Sequence, residues 1–371
     1  MRKLFPIVAA LAMIVAAFPS SPGYAQTKVN SPEYGASVFP IGNPNTADRD
    51  LTLMKNAGLG WARIAVPWRS IENGAKNNID WTALDAALEK ANAAGIKVMA
   101  RVDHQPDWTR PDKVENGPPA DLYDYADFVS VMARRYRANG PRPWLQAIQI
   151  WNEVNLNREW GGATINRRQA VDYMSMLRQS YELIKAADPT KIVVSAGLSP
   201  TGTNDGTAQP DDVYLRWLYE NGLKDYSDVV GMHGNSFGLP PEVEINSDPS
   251  RPHASFYFRR VEQLRAIMDE FGDSGKQVWL LEFGYTTDNV NPEYAWHAVS
   301  PEQQADYIVR AFKYAKDKWS PWIGVMFVWT IADPNWSATQ EQTFWAITKP
   351  DGSTRPAYDA ISNARKNGTL P

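Results

Sequence analysis

Short apolar stretches alternate with amphipathic stretches along this chain, with a repeat of roughly 35 to 45 residues. This alternation is typical of βα units, in which each buried strand is followed by a helix that covers it. Several of the short stretches are continuously apolar, as expected for a parallel sheet covered on both faces. The predicted strands are Tyr34–Phe39, Trp61–Pro67, Lys97–Val102, Leu145–Trp151, Lys191–Ala196, Val229–His233, Gln277–Glu282 and Gly324–Thr330.

Amphipathic stretches between these strands carry apolar residues at helical spacing. Residues that commonly begin a helix support them, as in Asp80 ahead of Trp81 and Ser300 ahead of Pro301. The clearest predicted helices are Trp81–Ala94, Ala120–Asn139, Asn166–Ala187, Phe256–Phe271 and Pro301–Trp319. Eight strands with about as many helices predict an α/β fold, a single (β/α)₈ TIM barrel. No Gly/Ser-rich or Pro/Thr-rich linker indicates a second module.

The long connections are unevenly placed, because the longest ones all follow a predicted strand. In a barrel such connections gather on the C-terminal face, where the active sites of this fold lie. They carry several aromatic residues, which is typical of the wall of a cleft. The connections are Asn155–Ile165, Gly234–His253, Thr286–His297 and Ile331–Phe344, and their aromatic residues include Trp160, Phe237, Tyr294, Trp296 and Trp336.

Residues 1–25 have the pattern of a cleaved signal peptide. Arg2 and Lys3 precede an apolar stretch, and Gly23-Tyr24-Ala25 supplies small residues before Gln26. No later run of about 18 or more apolar residues predicts a membrane span. We therefore expect a catalytic domain over residues 26–371, exported either to a periplasm or to the medium.

Charge and composition exclude several kinds of binding partner and of catalytic group for this chain. The net charge of −4 becomes −6 without Arg2 and Lys3, which argues against nucleic acid as a partner. The absence of cysteine excludes disulfides, thiolate metal sites and cysteine nucleophiles. The four histidines, His104, His233, His253 and His297, are scattered without a metal-binding spacing. No metal or cofactor is expected, and the oligomeric state is left open.

Two glutamates each end a predicted strand, and each follows a tryptophan. Glu153 ends the run that begins at Gln149, on the fourth strand, and Glu282 ends the run that begins at Val278, on the seventh. Strands four and seven of a barrel can bring their ends to face one another across the lumen. Glycoside cleavage requires a proton donor on one side of the bond and a second carboxylate on the other. This pair predicts a hydrolase that acts on sugars.

The run Trp151-Asn152-Glu153, combined with Glu282, resembles clan A of the retaining glycoside hydrolases. With Val154, Asn155 and the later pair Glu159-Trp160, it is most similar to family 39, and family 5 is the next most similar. The resemblance extends along most of the chain. It implies cleavage of β-glycosidic bonds in a polysaccharide or oligosaccharide by double displacement.

The resemblance also implies a role for individual residues. Glu153 would be the general acid/base and Glu282 the nucleophile, with the pKa of Glu153 raised by burial and by the nearby negative charge. Asn152 would bind the sugar 2-hydroxyl, and Arg63 would keep Glu282 ionised and oriented. Trp329 would form the floor beneath the sugar next to the cleaved bond.

Other residues lie where the clan binds substrate, with two departures from the clan's pattern. The first is Val154, because families 39 and 5 commonly have a proline after the acid/base glutamate. Substrate contacts are expected from His104, Trp108 and Trp160, and from His233 at the end of the sixth strand. Many clan members have a tyrosine two residues after that histidine, hydrogen-bonded to the nucleophile. This chain has Asn235 there, so either Asn235 takes the role or Tyr285 replaces the tyrosine.

Two alternatives use the same barrel. A non-catalytic carbohydrate-binding protein would keep the fold after losing activity, although such loss normally replaces a carboxylate and both are present. A transglycosylase would use the same two glutamates with a sugar acceptor in place of water. The identity of the sugar and the choice between internal and terminal cleavage are left open.

Overall fold

The computed structural model of the protein describes residues 28–371. The predicted signal peptide, residues 1–25, lies outside the described residues. All eight predicted strands are present, and their ends differ from the predicted ones by no more than two residues. The strands are β1 (Glu33–Val38), β2 (Trp61–Pro67), β3 (Lys97–Asp103), β4 (Ala147–Ile150), β5 (Ile192–Val194), β6 (Val230–His233), β7 (Val278–Phe283) and β8 (Ile323–Val328).

The eight strands form one parallel sheet in the order β5-β4-β3-β2-β1-β8-β7-β6. The two edge strands meet through isolated parallel bridges, Val194 with Val229 and Leu198 with Met232. The sheet therefore curls into a nearly closed barrel. The prediction of a (β/α)₈ TIM barrel is confirmed.

Helices alternate with the strands and cover the outside of the barrel. All five predicted helices are present, with some ends moved: Asp121 caps α4 at Tyr123, so this helix begins at Leu122 rather than at Ala120. With α1, α6 and α11 of the following list, the described residues contain eight helices of ten residues or more, which agrees with the expected number of about eight. The helices are α1 (Ala47–Asn56), α2 (Trp68–Ile71), α3 (Thr82–Ala93), α4 (Leu122–Arg135), α5 (Arg167–Ala187), α6 (Asp211–Glu220), α7 (Arg260–Glu270), α8 (Pro292–Ala295), α9 (Pro301–Tyr314), α10 (Glu341–Trp345) and α11 (Pro356–Lys366).

The lower half of the barrel lumen is filled with apolar side chains. Trp61 and Trp279 meet edge to face, with ring centroids 5.0 Å apart, and Phe327 and Met99 belong to the same buried cluster. Gly324 makes room for this packing, because a Cβ there would overlap the indole of Trp279. The lumen is thus a packed core rather than a channel.

A polar layer lies above this apolar layer, at the C-terminal ends of the strands. Successive residues of a strand point to opposite faces, so a residue two places after an inward apolar residue also points inward. Polar side chains occupy these positions on five strands, and all but Arg101, which is partly buried, are buried: Ser37 on β1, Arg63 on β2, Arg101 on β3, Gln149 on β4 and His233 on β6.

Strand β7 departs from this alternation. Trp279 and Leu281 belong to the cluster inside the barrel, whereas Leu280 and Phe283 pack on the outside, so the alternation breaks at Glu282. The strand pairing shifts register at the same place, where His233 of β6 pairs with Glu282. A β-bulge of this kind re-aims a side chain. It turns the Glu282 carboxylate into the lumen.

The predicted long connections all follow strands and lie at this end of the barrel. They are not wholly irregular: a 3₁₀ turn occupies Asn157–Glu159, a short helix occupies Pro292–Ala295, and another, Glu341–Trp345, begins within the last connection. A second 3₁₀ turn, Ala254–Phe256, directly follows the connection after β6. Within residues 28–371, no helix combines the length and the apolar character needed to cross a bilayer.

Candidate active site

The two glutamates meet at the C-terminal end of the lumen. One carboxylate oxygen of Glu153, one of Glu282 and a ring nitrogen of His233 lie within 4.8 Å of one another. Both carboxylates are largely buried, each residue being 8% exposed. The structure therefore places the two predicted catalytic residues side by side, at the mouth of the barrel.

An unusual backbone carries Glu153 into this position. Trp151 and Glu153 both have positive φ, at 64° and 40°, which residues with side chains rarely adopt. The Glu153 amide donates to the Gly197 carbonyl at 3.0 Å, and the Trp151 amide donates to the Val102 carbonyl at 3.2 Å. Such strained positions persist only where neighbours fix them, and they cluster at active sites.

Arg63 connects the two carboxylate-bearing strands. Its guanidinium is buried and donates to Glu282 Oε1 at 2.7 Å, to Asn152 Oδ1 at 2.9 Å and to Gln149 Oε1 at 2.8 Å. A planar fork with five N–H groups can make all three contacts at once. Arg63 thereby fixes the rotamers of Asn152 and Glu282, as the resemblance implied for Glu282.

His233 lies between the two glutamates and is fully buried. Its Nδ1 is 3.1 Å from Glu153 Oε1 and its Nε2 is 3.8 Å from Glu282 Oε1. An ionised carboxylate only accepts hydrogen bonds, so Nδ1 carries the hydrogen in the contact with Glu153. Gly197 leaves space for the imidazole, because a Cβ on Gly197 would overlap the ring.

The pKa of Glu153 is not raised, so that expectation is wrong for the protein without substrate. Burial acts to raise the pKa, but the hydrogen bond from His233 and the charge of Arg158 hold it well below its ordinary value. Arg158 Nη2 donates to Glu153 Oε2 at 3.1 Å. In this state Glu153 is ionised at neutral pH.

Glu159 behaves in the opposite way. Burial, followed by the nearby negative charge of Glu153, raises the pKa of Glu159 to about 7. Asn116 donates to its Oε2 at 2.7 Å, and Arg158 Nε lies 3.6 Å from its Oε1. A third carboxyl group, that of Glu159, therefore lies beside the catalytic pair, and its pKa is close to neutral pH.

His104 follows β3 and is only partly buried. Its Nδ1 is 2.8 Å from Asp103 Oδ1, and Asp103 also pairs with Arg101 at 2.8 Å. Burial acts to raise the pKa of Asp103, but Arg101 and the hydrogen bond from His104 lower it below its ordinary value. Arg101 is in turn 4.0 Å from Glu282 Oε1, so two guanidinium groups face this carboxylate.

Neither candidate for the missing strand-six tyrosine makes a side-chain hydrogen bond to Glu282 within the described part of the chain. The side-chain oxygen of Asn235 has no hydrogen-bond partner among the described residues. Tyr285 is 1% exposed and packs edge to face on Tyr307, and its hydroxyl makes no hydrogen bond to Glu282. The side-chain hydrogen bond that Glu282 does receive comes from Arg63.

Two of the predicted aromatic residues follow barrel strands and are partly exposed. Trp329 follows β8, is partly exposed, and meets Phe39 edge to face with centroids 6.0 Å apart; Trp336 lies 6.5 Å from it. Trp108 is also partly exposed, and its Nε1 donates to the Glu72 carbonyl at 3.1 Å.

The expectation that Trp160 binds substrate is wrong. Trp160 is 4% exposed and packs between Trp151 and Tyr173, with ring centroids 5.9 Å and 6.1 Å away. No face of its ring is free for a sugar. Its place in the sequence, in a long connection after a strand, suggested a cleft wall, but the connection folds back and buries the ring.

Several site residues were not predicted. Arg101 and Gln149 follow inward apolar residues by two places, so extending strand alternation into the polar layer would have found them. Arg158, Glu159 and Gly197 lie in connections and have no such signal.

Glu153, His233 and Glu282 are spaced closely enough to contact a single cation, and they are the group with this property among residues 28–371. Each carboxylate is already paired with a guanidinium, Arg158 on Glu153 and Arg63 on Glu282. Those positive charges oppose a bound cation. We assign no metal to this cluster.

A comparison with known sequence families agrees with this fold and this arrangement of residues. The sequence profile described as Cellulase (glycosyl hydrolase family 5) matches residues 24–327, which is most of the chain. The chain belongs to this family. The resemblance to clan A is thereby confirmed. The matching family is family 5, which the sequence motifs placed second after family 39.

Solved structures of similar fold come from both families. A family 39 glycoside hydrolase from Bacteroides cellulosilyticus is 17% identical with a TM-score of 0.68, over 90% of this chain and 63% of that one. A family 39 β-xylosidase from Caulobacter crescentus is 15% identical, with a TM-score of 0.63 over 92% of this chain and 73% of that one.

A subfamily 18 enzyme of family 5 from Streptomyces cattleya, in complex with GlcNAc, is 15% identical. Its TM-score is 0.63, over 91% of this chain and 80% of that one. This chain spans less than two thirds of the Bacteroides enzyme, and identities this low establish the fold alone. No curated protein matches the chain.

Proposed function

We propose that this protein is a retaining glycoside hydrolase that cleaves β-glycosidic bonds in polysaccharides or oligosaccharides by double displacement. The observation that carries the proposal is the distance of at most 4.8 Å between carboxylate oxygens of Glu153 and Glu282. Retaining enzymes hold their carboxyl groups about 5–5.5 Å apart, and inverting enzymes about 6.5–9.5 Å, because a water must fit between them. The short distance favours direct attack by one carboxylate.

Glu282 is the nucleophile in this proposal. Arg63 at 2.7 Å and Arg101 at 4.0 Å place two positive charges beside its carboxylate, and the hydrogen bond from Arg63 orients one of its oxygens. In the first step Glu282 forms a bond to the anomeric carbon, the glycosidic C–O bond breaks, and Glu153 gives its proton to the leaving oxygen. The product of this step is a glycosyl ester on Glu282.

Glu153 acts as acid and then as base. In the second step it takes a proton from water, the water oxygen attacks the anomeric carbon, and the ester bond to Glu282 breaks. The first step needs Glu153 in its protonated form, whereas His233 and Arg158 keep it ionised in the free protein. Bound substrate would exclude water from Glu153 and so raise its pKa, preparing it to donate.

The other predicted residues have supporting places in this scheme. The Asn152 oxygen is occupied by Arg63 and Gln149, which leaves its amide nitrogen to donate to the sugar 2-hydroxyl. Trp329 would stack beneath the sugar next to the cleaved bond. His104 and Trp108, in the connection after β3, would contact other parts of the substrate.

A test of this mechanism is the anomeric configuration of the first product, followed by NMR. The substrates are aryl β-glycosides and β-linked oligosaccharides, including Manβ1-4GlcNAc, which is bound in a structure of the Streptomyces cattleya enzyme. We expect the β-anomer first. An α-anomer would overturn the mechanism, because it would require a water between the two carboxylates.

Variants check the assignment of the residues in the same assay. Glu282→Gln is expected to lower kcat by about 10⁴-fold or more, the range typical of removing a nucleophile. Exposed Glu89→Gln on α3 serves as the matched control and should retain the wild-type rate. Wild-type rates in both Glu282→Gln and Glu153→Gln would contradict the assignment. Product analysis at high acceptor concentration separates hydrolysis from transglycosylation.

We also propose that the protein is exported after cleavage between Ala25 and Gln26, because residues 1–25 combine a basic start, an apolar stretch and small residues. Mass spectrometry of the protein recovered from the periplasm or medium should give a mature chain that begins at Gln26. Recovery of the uncleaved chain in the cytoplasm would contradict the proposal.

A further inference from the structure

A cavity of about 710 Å³ opens beside Glu153, between the connections that follow β4, β5 and β6. Arg158 and Ser199 line it, and both contact Glu153. Arg63 and His233, which flank Glu282, are absent from its lining. The cavity therefore adjoins the side of the site where Glu153 lies.

In the proposed reaction this is the side on which the leaving group departs, because Glu153 protonates the leaving oxygen. The volume lies within the range of about 300–1,000 Å³ that is usual for ligand sites. The lining includes hydroxyl-bearing residues, such as Thr201 and Ser255, and the aromatic residues Phe237 and Phe256. Hydroxyl groups beside aromatic faces suit a sugar.

The charge of the lining is one-sided. Arg158 contributes a guanidinium whose side chain is 70% exposed, and the described lining contains no aspartate or glutamate. Only Nη2 of this guanidinium makes a hydrogen bond to a described residue, which leaves much of the fork available. A guanidinium fork matches the geometry of a carboxylate.

The two acidic neighbours of Arg158 compensate this charge only in part. Burial raises the pKa of Glu159 to about 7, so near neutrality this group carries about half of a negative charge. Glu153 must be protonated when it donates to the leaving group. At that stage of the reaction the hydrogen-bonded partner of Arg158, Glu153, carries no charge.

We propose that this cavity binds the leaving part of the glycan and that Arg158 selects a uronic acid there, pairing with its carboxylate. The inference rests on the proposed function and names its substrate class. The pair would also reduce the effect of Arg158 on Glu153. The groups facing Glu153 are His233 from β6, Glu282 from β7, and Arg158 and Glu159 from the connection after β4.

Calorimetry with the catalytically impaired variant Glu282→Gln tests this inference without turnover. The probes are β-1,4-linked tetrasaccharides of glucuronic acid and of glucose, which differ only in carrying a carboxylate or a hydroxymethyl group. We expect the acidic tetrasaccharide to bind at least tenfold more tightly. The preference should fall as salt is raised, because it rests on charge.

A second substitution in the same background locates the effect. Adding Arg158→Gln should abolish the preference, whereas adding Arg168→Gln, which removes an exposed arginine of α5, should keep it. Equal binding of the two probes, binding of neither, or a preference that survives Arg158→Gln would overturn the inference. Failure of the proposed function would appear instead in the anomer assay, which does not use these probes.

Discussion

Arg63 is the residue on which the geometry of the site depends most. Its hydrogen bonds to Glu282, Asn152 and Gln149 tie β2 to β4 and β7, a fourth reaches Ser37 of β1 at 3.4 Å, and the residue is buried. A carboxylate that accepts a hydrogen bond from a buried guanidinium is held in one direction. The same fork that stabilises the folded barrel therefore positions the proposed nucleophile.

At the residue scale, Glu159 gives a prediction about pH. Burial raises its pKa from an ordinary 4.5 to about 7, so between these values the folded protein binds a proton that the unfolded chain has released. Its contribution to stability is therefore present below about pH 4.5 and is lost as the pH rises through about 7. Glutamine cannot ionise, so Glu159→Gln should escape this loss.

We expect Glu159→Gln to match the wild type in unfolding free energy at pH 4.5 and to exceed it at pH 8. The gain should be on the order of 1–3 kcal/mol, since each unit of pKa corresponds to about 1.4 kcal/mol. Urea unfolding at the two pH values measures it, with exposed Glu89→Gln as the control. A variant no more stable than the wild type at pH 8 would contradict the pKa shift.

At the element scale, the barrel is closed less firmly between β5 and β6 than between its other neighbouring strands. Between β5 and β6 there are only isolated bridges, and a side chain supplements them: Asp228 accepts from the Val193 amide at 2.8 Å. Lys185 of α5 pairs with Asp228 at 2.5 Å, and both side chains are almost fully buried. A buried ion pair thus links a helix to the seam of the barrel.

Removing one member of this pair should be costly. Lys185→Met leaves the Asp228 carboxylate buried beside an uncharged side chain, which typically destabilises a protein by about 3–5 kcal/mol. Lys313→Met, on α9, breaks the exposed ion pair between Lys313 and Asp317 and should lower the unfolding free energy by less than about 1 kcal/mol. Urea unfolding of the two variants compares these costs, and equal costs would show that the seam does not depend on the pair.

Strand positions could be predicted from the sequence because continuously apolar runs between amphipathic stretches leave few alternatives to a parallel barrel. The identity of the two glutamates followed from the same pattern. The direction of the Glu282 side chain could not be predicted in this way. Because Trp279 and Leu281 point into the lumen, simple alternation would point Glu282 outward, and the bulge in β7 reverses this. Non-local contacts likewise decided the burial of Trp160 and the low pKa of Glu153.

At the scale of the whole molecule, the apolar packing and the proposed catalytic groups occupy different levels along the barrel axis. An apolar layer around Trp61 and Trp279 fills the lower lumen, and the charged groups lie above it at the strand ends. The connections after β4, β5 and β6 then build a cavity on one side of the catalytic pair. This asymmetry gives Glu153 and Glu282 different surroundings and supports their different proposed roles.

The most direct test of those roles is the configuration of the glycosyl azide formed when each glutamate is removed. The assay uses an aryl β-glycoside with a good leaving group, sodium azide and NMR of the product. In Glu282→Gly, azide should occupy the vacated position and give the α-azide. In Glu153→Ala, Glu282 still forms the ester, and azide should displace it to give the β-azide. The same anomer from both variants, or the reverse assignment, would contradict the account.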